Sequence, residues 1–467
     1  MHKRSRTPRP LNKKLAYSLL LMSCLALSGG RCIDMDSDKK SNDSGNDDPE
    51  LVSVRKEQKI SAESGGFNGK LSNGDVFGSA IGELGDLEAD GVRDLAVGAP
   101  GDDEGGDNRG AVWILFMDSS GQVDVQRKIA DSQGGFPARL NNNDRFGSAV
   151  AGIGDLNSDG VNDLAAGAPG TDGDKSDQGA IWLLFLDDQG RVRDQRKIAD
   201  GFAGFNGKLS KGDRFGSAVT SIGDVNGDGV TDLAVGAPNS DDGADDAGAV
   251  WILFMSADGQ RVDSQRKIAN DSGSFREKLR SGDLFGSAVA GIGDLDGDGI
   301  PDLAVGAPGF DDEKDNQGAV WILFLNTDGR VRQAQLLSRG SGGFDGKLDT
   351  DDQFGSAVAA VGDLDNDSIT DLAVGAPNDN DGATEAGAIW ILFMETSGRS
   401  IDSQKISQKS GSFDGKLEAA DHFGSAVAGI GDLDNDGTAD VSVGAPNDDD
   451  GGTNQGAAWV LFMERRL

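Results

Sequence analysis

The chain has 467 residues, of which 36% are hydrophobic and 71 are glycine, and its formal net charge is −35. So acidic a surface repels nucleic acid and anionic lipid, and it attracts divalent cations. The cysteines Cys24 and Cys32 both precede the repeated body, which excludes a disulfide framework or thiol chemistry there.

In chain order, residues 1–14 are basic and residues 15–27 form an apolar run. That run is too short to span a bilayer and suits the core of a signal peptide. Residues 1–28 therefore read as a signal peptide. Alternatively, Leu21-Met22-Ser23-Cys24 resembles a lipobox, with Cys24 becoming a lipid-anchored N-terminus and the sole membrane contact. Residues 29–53 are acidic and read as a disordered linker. The expected location is extracellular, periplasmic or at the cell surface.

Residues 54–467 hold six repeats. Phe-Gly occurs at Phe77, Phe146, Phe215, Phe285, Phe354 and Phe423, spaced by 69 or 70 residues. Gly-Ala-Pro ends at Pro100, Pro169, Pro238, Pro308, Pro377 and Pro446. Each repeat adds one tryptophan: Trp113, Trp182, Trp251, Trp321, Trp390 and Trp459. A fixed period of this length marks a repeat fold. In the second repeat, residues 145–154, 163–169, 179–186 and 192–199 read as four short strands between Gly/Asp/Asn-rich turns, without helical periodicity. The prediction is an all-β protein, a β-propeller of six four-stranded blades, with seven blades the less favoured alternative. The phenylalanines and tryptophans are expected in the core between blades.

The two ends of the repeats complement each other. VRKEQKIS, residues 54–61, matches a fourth strand, whereas the chain ends on a third strand, AAWVLFMERRL. The N-terminal segment is predicted to complete the last blade and close the ring, leaving no unpaired sheet edge.

After its first strand each repeat carries oxygen-bearing side chains at loop positions 1, 3, 5 and 9, with a backbone carbonyl available at 7. The first loop offers Asp86, Glu88, Asp90 and Asp94 with the carbonyl of Val92. The second offers Asp155, Asn157, Asp159 and Asp163 with Val161. The third offers Asp224, Asn226, Asp228 and Asp232 with Val230. The fourth offers Asp294, Asp296, Asp298 and Asp302 with Ile300. The fifth offers Asp363, Asp365, Asp367 and Asp371 with Ile369. The sixth offers Asp432, Asp434, Asp436 and Asp440 with Thr438. Such sets suit Ca²⁺, which takes six to eight oxygens at flexible geometry. Up to six Ca²⁺ ions are expected. An EF-hand needs a glutamate at position 12 and flanking helices. Position 12 in the third loop is Val235, and the flanks read as strands. In the fifth loop Ser368 stands where the others have glycine, so a left-handed backbone there would be strained.

Phe-Gly, then the Asp-rich loop, then Gly-Ala-Pro, resembles the FG-GAP repeat of the integrin α-chain head over about 410 residues. The resemblance implies a β-propeller with calcium in the hairpin between the first two strands of a blade. It also implies ligand binding on the opposite face. Integrin heads carry seven repeats of roughly 60 residues, against six of about 69 here.

A protein or glycan ligand is expected on that opposite face, where the loops between second and third strands and between fourth and first strands vary most among repeats. Nucleic acid is not an expected partner, and a monomer is the expected state. No enzyme is expected. Past the signal segment the chain has one histidine, His422, and no tyrosine, which removes the usual acid–base and nucleophilic groups. Two other readings stand beside the binding module. One is a surface-coat protein without a specific ligand, and the other is a propeller enzyme acting on polysaccharide or phospholipid through carboxylates.

Overall fold

The computed structural model describes residues 51–466. The predicted signal peptide, both cysteines and residues 29–50 of the linker lie outside the described residues. Among the described residues there is no helix. Twenty-four strands form six four-stranded antiparallel sheets. In the first sheet Ala80–Gly85, Asp94–Ala99, Ala111–Met117 and Val123–Ala130 follow one another in space as in sequence.

The second and third strands of this blade are buried at every position. They read as continuous apolar runs because neighbouring blades cover both of their faces. The outer strand has no such double cover, and its middle is exposed or half-buried.

The sixth sheet is completed by the N-terminal strand. Val52–Ile60 pairs with Ala457–Arg465, with Val52 opposite Arg465 and Ile60 opposite Ala458. The strand takes in two residues ahead of position 54, because Val52 is buried along with Val54. The inner strands pack against one another in succession, and the last, Ala426–Gly431, packs against the first, Ala80–Gly85. Parallel bridges link consecutive blades from Gly110–Phe146 onward, and Phe77–Gly456 is the sixth, which closes the ring. The molecule is a six-bladed β-propeller.

The hydrophobic core lies between the blades, in six clusters that each draw on two neighbours. Val97 and Trp113, for example, pack with Ile430, Leu433 and Val460. Each Phe-Gly phenylalanine is wholly buried. It packs against a second phenylalanine that meets the tryptophan edge-on, as Phe136 does, stacked at 5.2 Å from Phe146 and 5.1 Å from Trp182. This second ring (Phe67, Phe136, Phe205, Phe275, Phe344 and Phe413) comes from the loop crossing between blades.

The glycines of the two repeated motifs meet across the blade interface. Gly147 has φ +89°, and its N–H donates to the Gly167 carbonyl at 2.9 Å. A Cβ on Gly98 of the preceding blade would sit 1.9 Å from the Gly147 carbonyl oxygen. The backbones therefore touch where any side chain would push the blades apart.

Candidate metal centre

The acidic loops join the inner strand to the second strand of every blade, as residues 86–93 do in the first. The strand register slips just before each loop, between Glu83 and Gly85 in the first blade, with Gly85 at φ +73°. This bulge turns the chain so that the first aspartate points back over the loop.

Within each loop the carboxylates organise the backbone in the same way. The first-position aspartate accepts at least two N–H groups, with Asp90 and Gly91 donating to Asp86 at 2.9 and 2.8 Å, and a third in the third and fifth loops, from Gly227 and Asn366. The fifth-position carboxylate accepts the N–H of position 7, as Asp90 does from Val92 at 2.8 Å. The ninth-position aspartate begins the second strand and is 0% exposed in all six blades. Asp94 accepts from Leu87 at 2.9 Å and from Met117 at 3.1 Å. Position 6 is left-handed in every loop, glycine at five and Ser368 at φ +73° in the fifth, as the sequence suggested. Position 4 is left-handed as well, a requirement hidden in the sequence by its varied occupants: Ala89, Ser158, Gly227, Gly297, Asn366 and Asn435.

Three loops bring three carboxylates together. Oxygens of Asp294, Asp296 and Asp302 lie within 4.8 Å of one another, as do those of Asp363, Asp365 and Asp371, and those of Asp432, Asp434 and Asp440. Positions 1, 3 and 9 form these groups. The position-5 residues Asp298, Asp367 and Asp436 stay beside them, bonded to the backbone N–H of position 7. In the second and third loops an asparagine replaces one carboxylate, and its amide turns to position 5: Asn157 donates to Asp159 at 3.0 Å and Asn226 to Asp228 at 2.9 Å. In the first loop the longer Glu88 lies against Asp94.

The donor set fits a hard cation. Asp296 Oδ1 and Asp434 Oδ1 are buried oxygens that receive no hydrogen bond. A buried carboxylate oxygen without a donor is unfavourable unless a positive charge meets it. The electrostatics agree. Burial pushes the ninth-position carboxyls up: Asp94 to about 8, Asp163, Asp302, Asp371 and Asp440 to about 7, and Asp232 to about 6. Backbone N–H bonds oppose this rise and the neighbouring loop carboxylates add to it.

Two loops already hold a cation of the protein's own. Arg332, on the outer strand of the fourth blade, pairs with Asp296 and lies 2.9 Å from Asp298. Arg55, on the strand supplied by the N-terminus, pairs with Asp434 and lies 3.0 Å from Asp436. These arginines were not singled out from the sequence, because nothing local to the loops points to them. The fifth loop is braced from the next blade, where the Arg465 guanidinium donates to the carbonyls of Leu364 and Asp363 at 2.7 and 2.8 Å.

A second acidic set also escaped the sequence reading. Asp75, Asp144, Asp213, Asp283, Asp352 and Asp421 each stand two residues before the Phe-Gly phenylalanine and are buried. Each caps its turn, as Asp75 does by accepting the Ser72 N–H at 2.7 Å. Asp-x-Phe-Gly in all six repeats was the available signal. His422 sits in the turn before Phe423, with Nδ1 3.0 Å from the Asn447 amide and Nε2 3.6 Å from Glu385.

The sequence profile of the FG-GAP repeat matches residues 78–115, 146–184, 215–253, 285–323, 354–392 and 423–461. Each match runs from a Phe-Gly pair to the third strand and contains one acidic loop. The chain is 37% identical over 165 residues to integrin alpha-PS5 of Drosophila melanogaster, covering 35% of this chain and 15% of that one. It is 34% identical over 234 residues to integrin alpha-PS2 of the same fly, covering 48% and 14%. It is 34% identical over 198 residues to human integrin alpha-6, covering 42% and 15%. The chain thus spans a small part of the length of these relatives.

Proposed function

The chain belongs to the FG-GAP repeat family, and we propose on that premise that it is a calcium-stabilised, ligand-binding propeller of the adhesion type. Positions 1, 3, 5 and 9 of the six loops, with the position-7 carbonyls, would hold the ions. Bound Ca²⁺ would supply positive charge to clusters of mutually repelling carboxylates, which Arg332 and Arg55 offset from one side in the fourth and sixth loops. The observation that carries this reading is the pair of buried, donor-free oxygens on Asp296 and Asp434, set in loops repeated around the whole ring. At 1 mM Ca²⁺ and a Kd of about 0.1 mM, each site would stabilise the fold by ~1.4 kcal/mol.

The loops' task in this reading is to hold hairpins, and thereby blades, in place. Strand alternation puts the loops between second and third strands at the other end of each blade, free for a protein or glycan ligand. Residues 1–28 would export the chain, with residues 29–50 as its tether and Cys24 as an alternative lipid anchor; residues 52 and 53, read from the sequence as linker, belong to the closing strand. A screen of the purified protein against glycan and surface-protein arrays, with Ca²⁺ and with chelator, tests the function. Ca²⁺-dependent capture of one ligand class is expected. Turnover of an arrayed substrate, or no capture in either condition, would refute it.

A further inference from the structure

Six residues occupy the same turn just before the Phe-Gly phenylalanines: Val76, Arg145, Arg214, Leu284, Gln353 and His422. All are left-handed, with φ between 50° and 57°. They lie at the ends of the blades away from the acidic loops. Arg145 and Arg214, on consecutive blades, are the only adjacent pair with permanent positive charge. Both are exposed, and among the described residues neither makes an ion pair or a side-chain hydrogen bond. His422, by contrast, already faces Glu385 and Asn447.

The two arginines line one pocket of about 290 Å³ together with Ser148, Ser217, Pro169 and Asp177. Its backbone is fixed from the neighbouring blades. The Arg145 N–H donates to the Asn108 carbonyl at 3.1 Å, and the Arg214 N–H donates to the Asp177 carbonyl at 3.1 Å. The serine hydroxyls are committed as well, donating to the Arg145 and Arg214 carbonyls at 2.8 Å. The guanidiniums are therefore the groups left for a ligand, and they stand on rigid turns.

Behind the pocket, the same blade carries a further unpaired cation. The equivalent outer-strand lysines Lys59, Lys128, Lys267 and Lys405 each pair with acids of their own blade. In the second blade those acids are replaced by Thr171 and Gly173, and Lys197 makes no ion pair among the described residues. The buried Thr171 hydroxyl faces the Asp144 carboxyl instead of the lysine. In a chain of net charge −35, Arg145, Arg214 and Lys197 are three neighbouring cations that make no ion pair among the described residues.

We propose that the notch between the second and third blades binds a carboxylate side chain of an acidic segment in a protein ligand, clamped by Arg145 and Arg214. This rests on the ligand-binding reading above and names its chemistry. Guanidinium forks match carboxylates in two-point bonds. Asp177 lowers the positive charge of the pocket, so it favours a single carboxylate over a densely charged polyanion. No aromatic ring lines the pocket to receive the flat face of a sugar, which favours peptide over glycan.

The test uses a fluorescent Gly-Gly-Asp-Asp-Gly-Gly peptide and its Asn-Asn twin, followed by anisotropy against the full chain in saturating Ca²⁺. The Asp peptide binds and the twin does not. R145Q/R214Q weakens binding by at least about tenfold. D177N strengthens it severalfold, an opposite sign that misfolding would not produce. Equal binding of the two peptides, or equal affinity in R145Q/R214Q, would overturn the proposal. So would capture of a sulfated glycan with no binding of the Asp peptide. Calcium-induced stabilisation is measured on the same samples. If Ca²⁺ raises the melting temperature and the Asp peptide still fails to bind, this inference alone falls. If Ca²⁺ does nothing, the calcium reading falls with it.

Discussion

Replacing Asp302 by asparagine should stabilise the chain in chelator, and calcium should cancel much of that gain. Asp302 is 0% exposed and its carboxyl is pushed from 3.8 to about 7 by burial, opposed by two backbone bonds. A rise of this size means that carrying the charge above pH 7 costs on the order of 4 kcal/mol. The amide keeps the bond from the Leu325 N–H and loses the one from Leu295, each 3.1 Å in the native loop. Leaving that donor without its acceptor costs about 1–3 kcal/mol. In chelator at pH 8 the variant should therefore be more stable than the parent by about 1–3 kcal/mol, the difference between these two effects. In 1 mM Ca²⁺ this advantage should shrink by about 1.4 kcal/mol, because the variant forfeits the binding linkage of the fourth loop. The parent has its own pH signature. The folded chain binds the Asp302 proton more tightly than the unfolded chain, so this contribution is fully present below about pH 4 and fades as the pH rises through about 7. Without metal, the parent should melt at lower temperature at pH 8 than at pH 5, and calcium should remove part of that fall. Thermal melts of both proteins at pH 5 and 8, in EDTA and in calcium, provide the assay. Equal destabilisation by D302N in all four conditions would refute the reasoning, since the carboxylate would then be a hydrogen-bond acceptor and nothing more.

Three further outcomes follow from particular contacts. Ser368→Gly relieves a left-handed serine at φ +73°, and the equivalent glycines have open space around them, so the gain should approach about 1 kcal/mol in chelator melts. Ile60→Ala, on the strand that closes the ring, should destabilise by about 2–5 kcal/mol, as should Ile129→Ala at the matching place in the first blade. A negligible effect of the first beside a large effect of the second, in denaturant unfolding, would show that closure contributes little. Arg332→Ala removes a guanidinium from Asp296 and Asp298 and should raise calcium affinity at the fourth loop, seen as tighter binding by calorimetry.

Much of this architecture was legible in the sequence because it repeats. The 69-residue period, the stray fourth strand at residues 54–61 and the missing one after Trp459 favour six blades closed by the N-terminal strand, and the structure decides against seven. The loop positions were legible because oxygen spacing is local. What stayed hidden depends on contacts between blades or on backbone conformation. Phe67 and its five counterparts became core residues only once the crossing loop was laid over the neighbouring blade. The left-handed fourth loop position is invisible where alanine, serine and asparagine fill it as well as glycine. Arg55 and Arg332 reach the loops through the register of an outer strand, and the loop spacing carries no trace of that. Arg145 and Arg214 lie 69 residues apart and share a pocket only because consecutive blades sit side by side.

Calorimetric titration of the chelator-stripped chain with Ca²⁺ measures most directly whether the acidic loops bind calcium. Saturable binding is expected with up to six ions per chain, at Kd values of roughly 10⁻⁴–10⁻³ M, accompanied by a rise in melting temperature. A flat titration through several millimolar, with a melting temperature indifferent to EDTA, would contradict it.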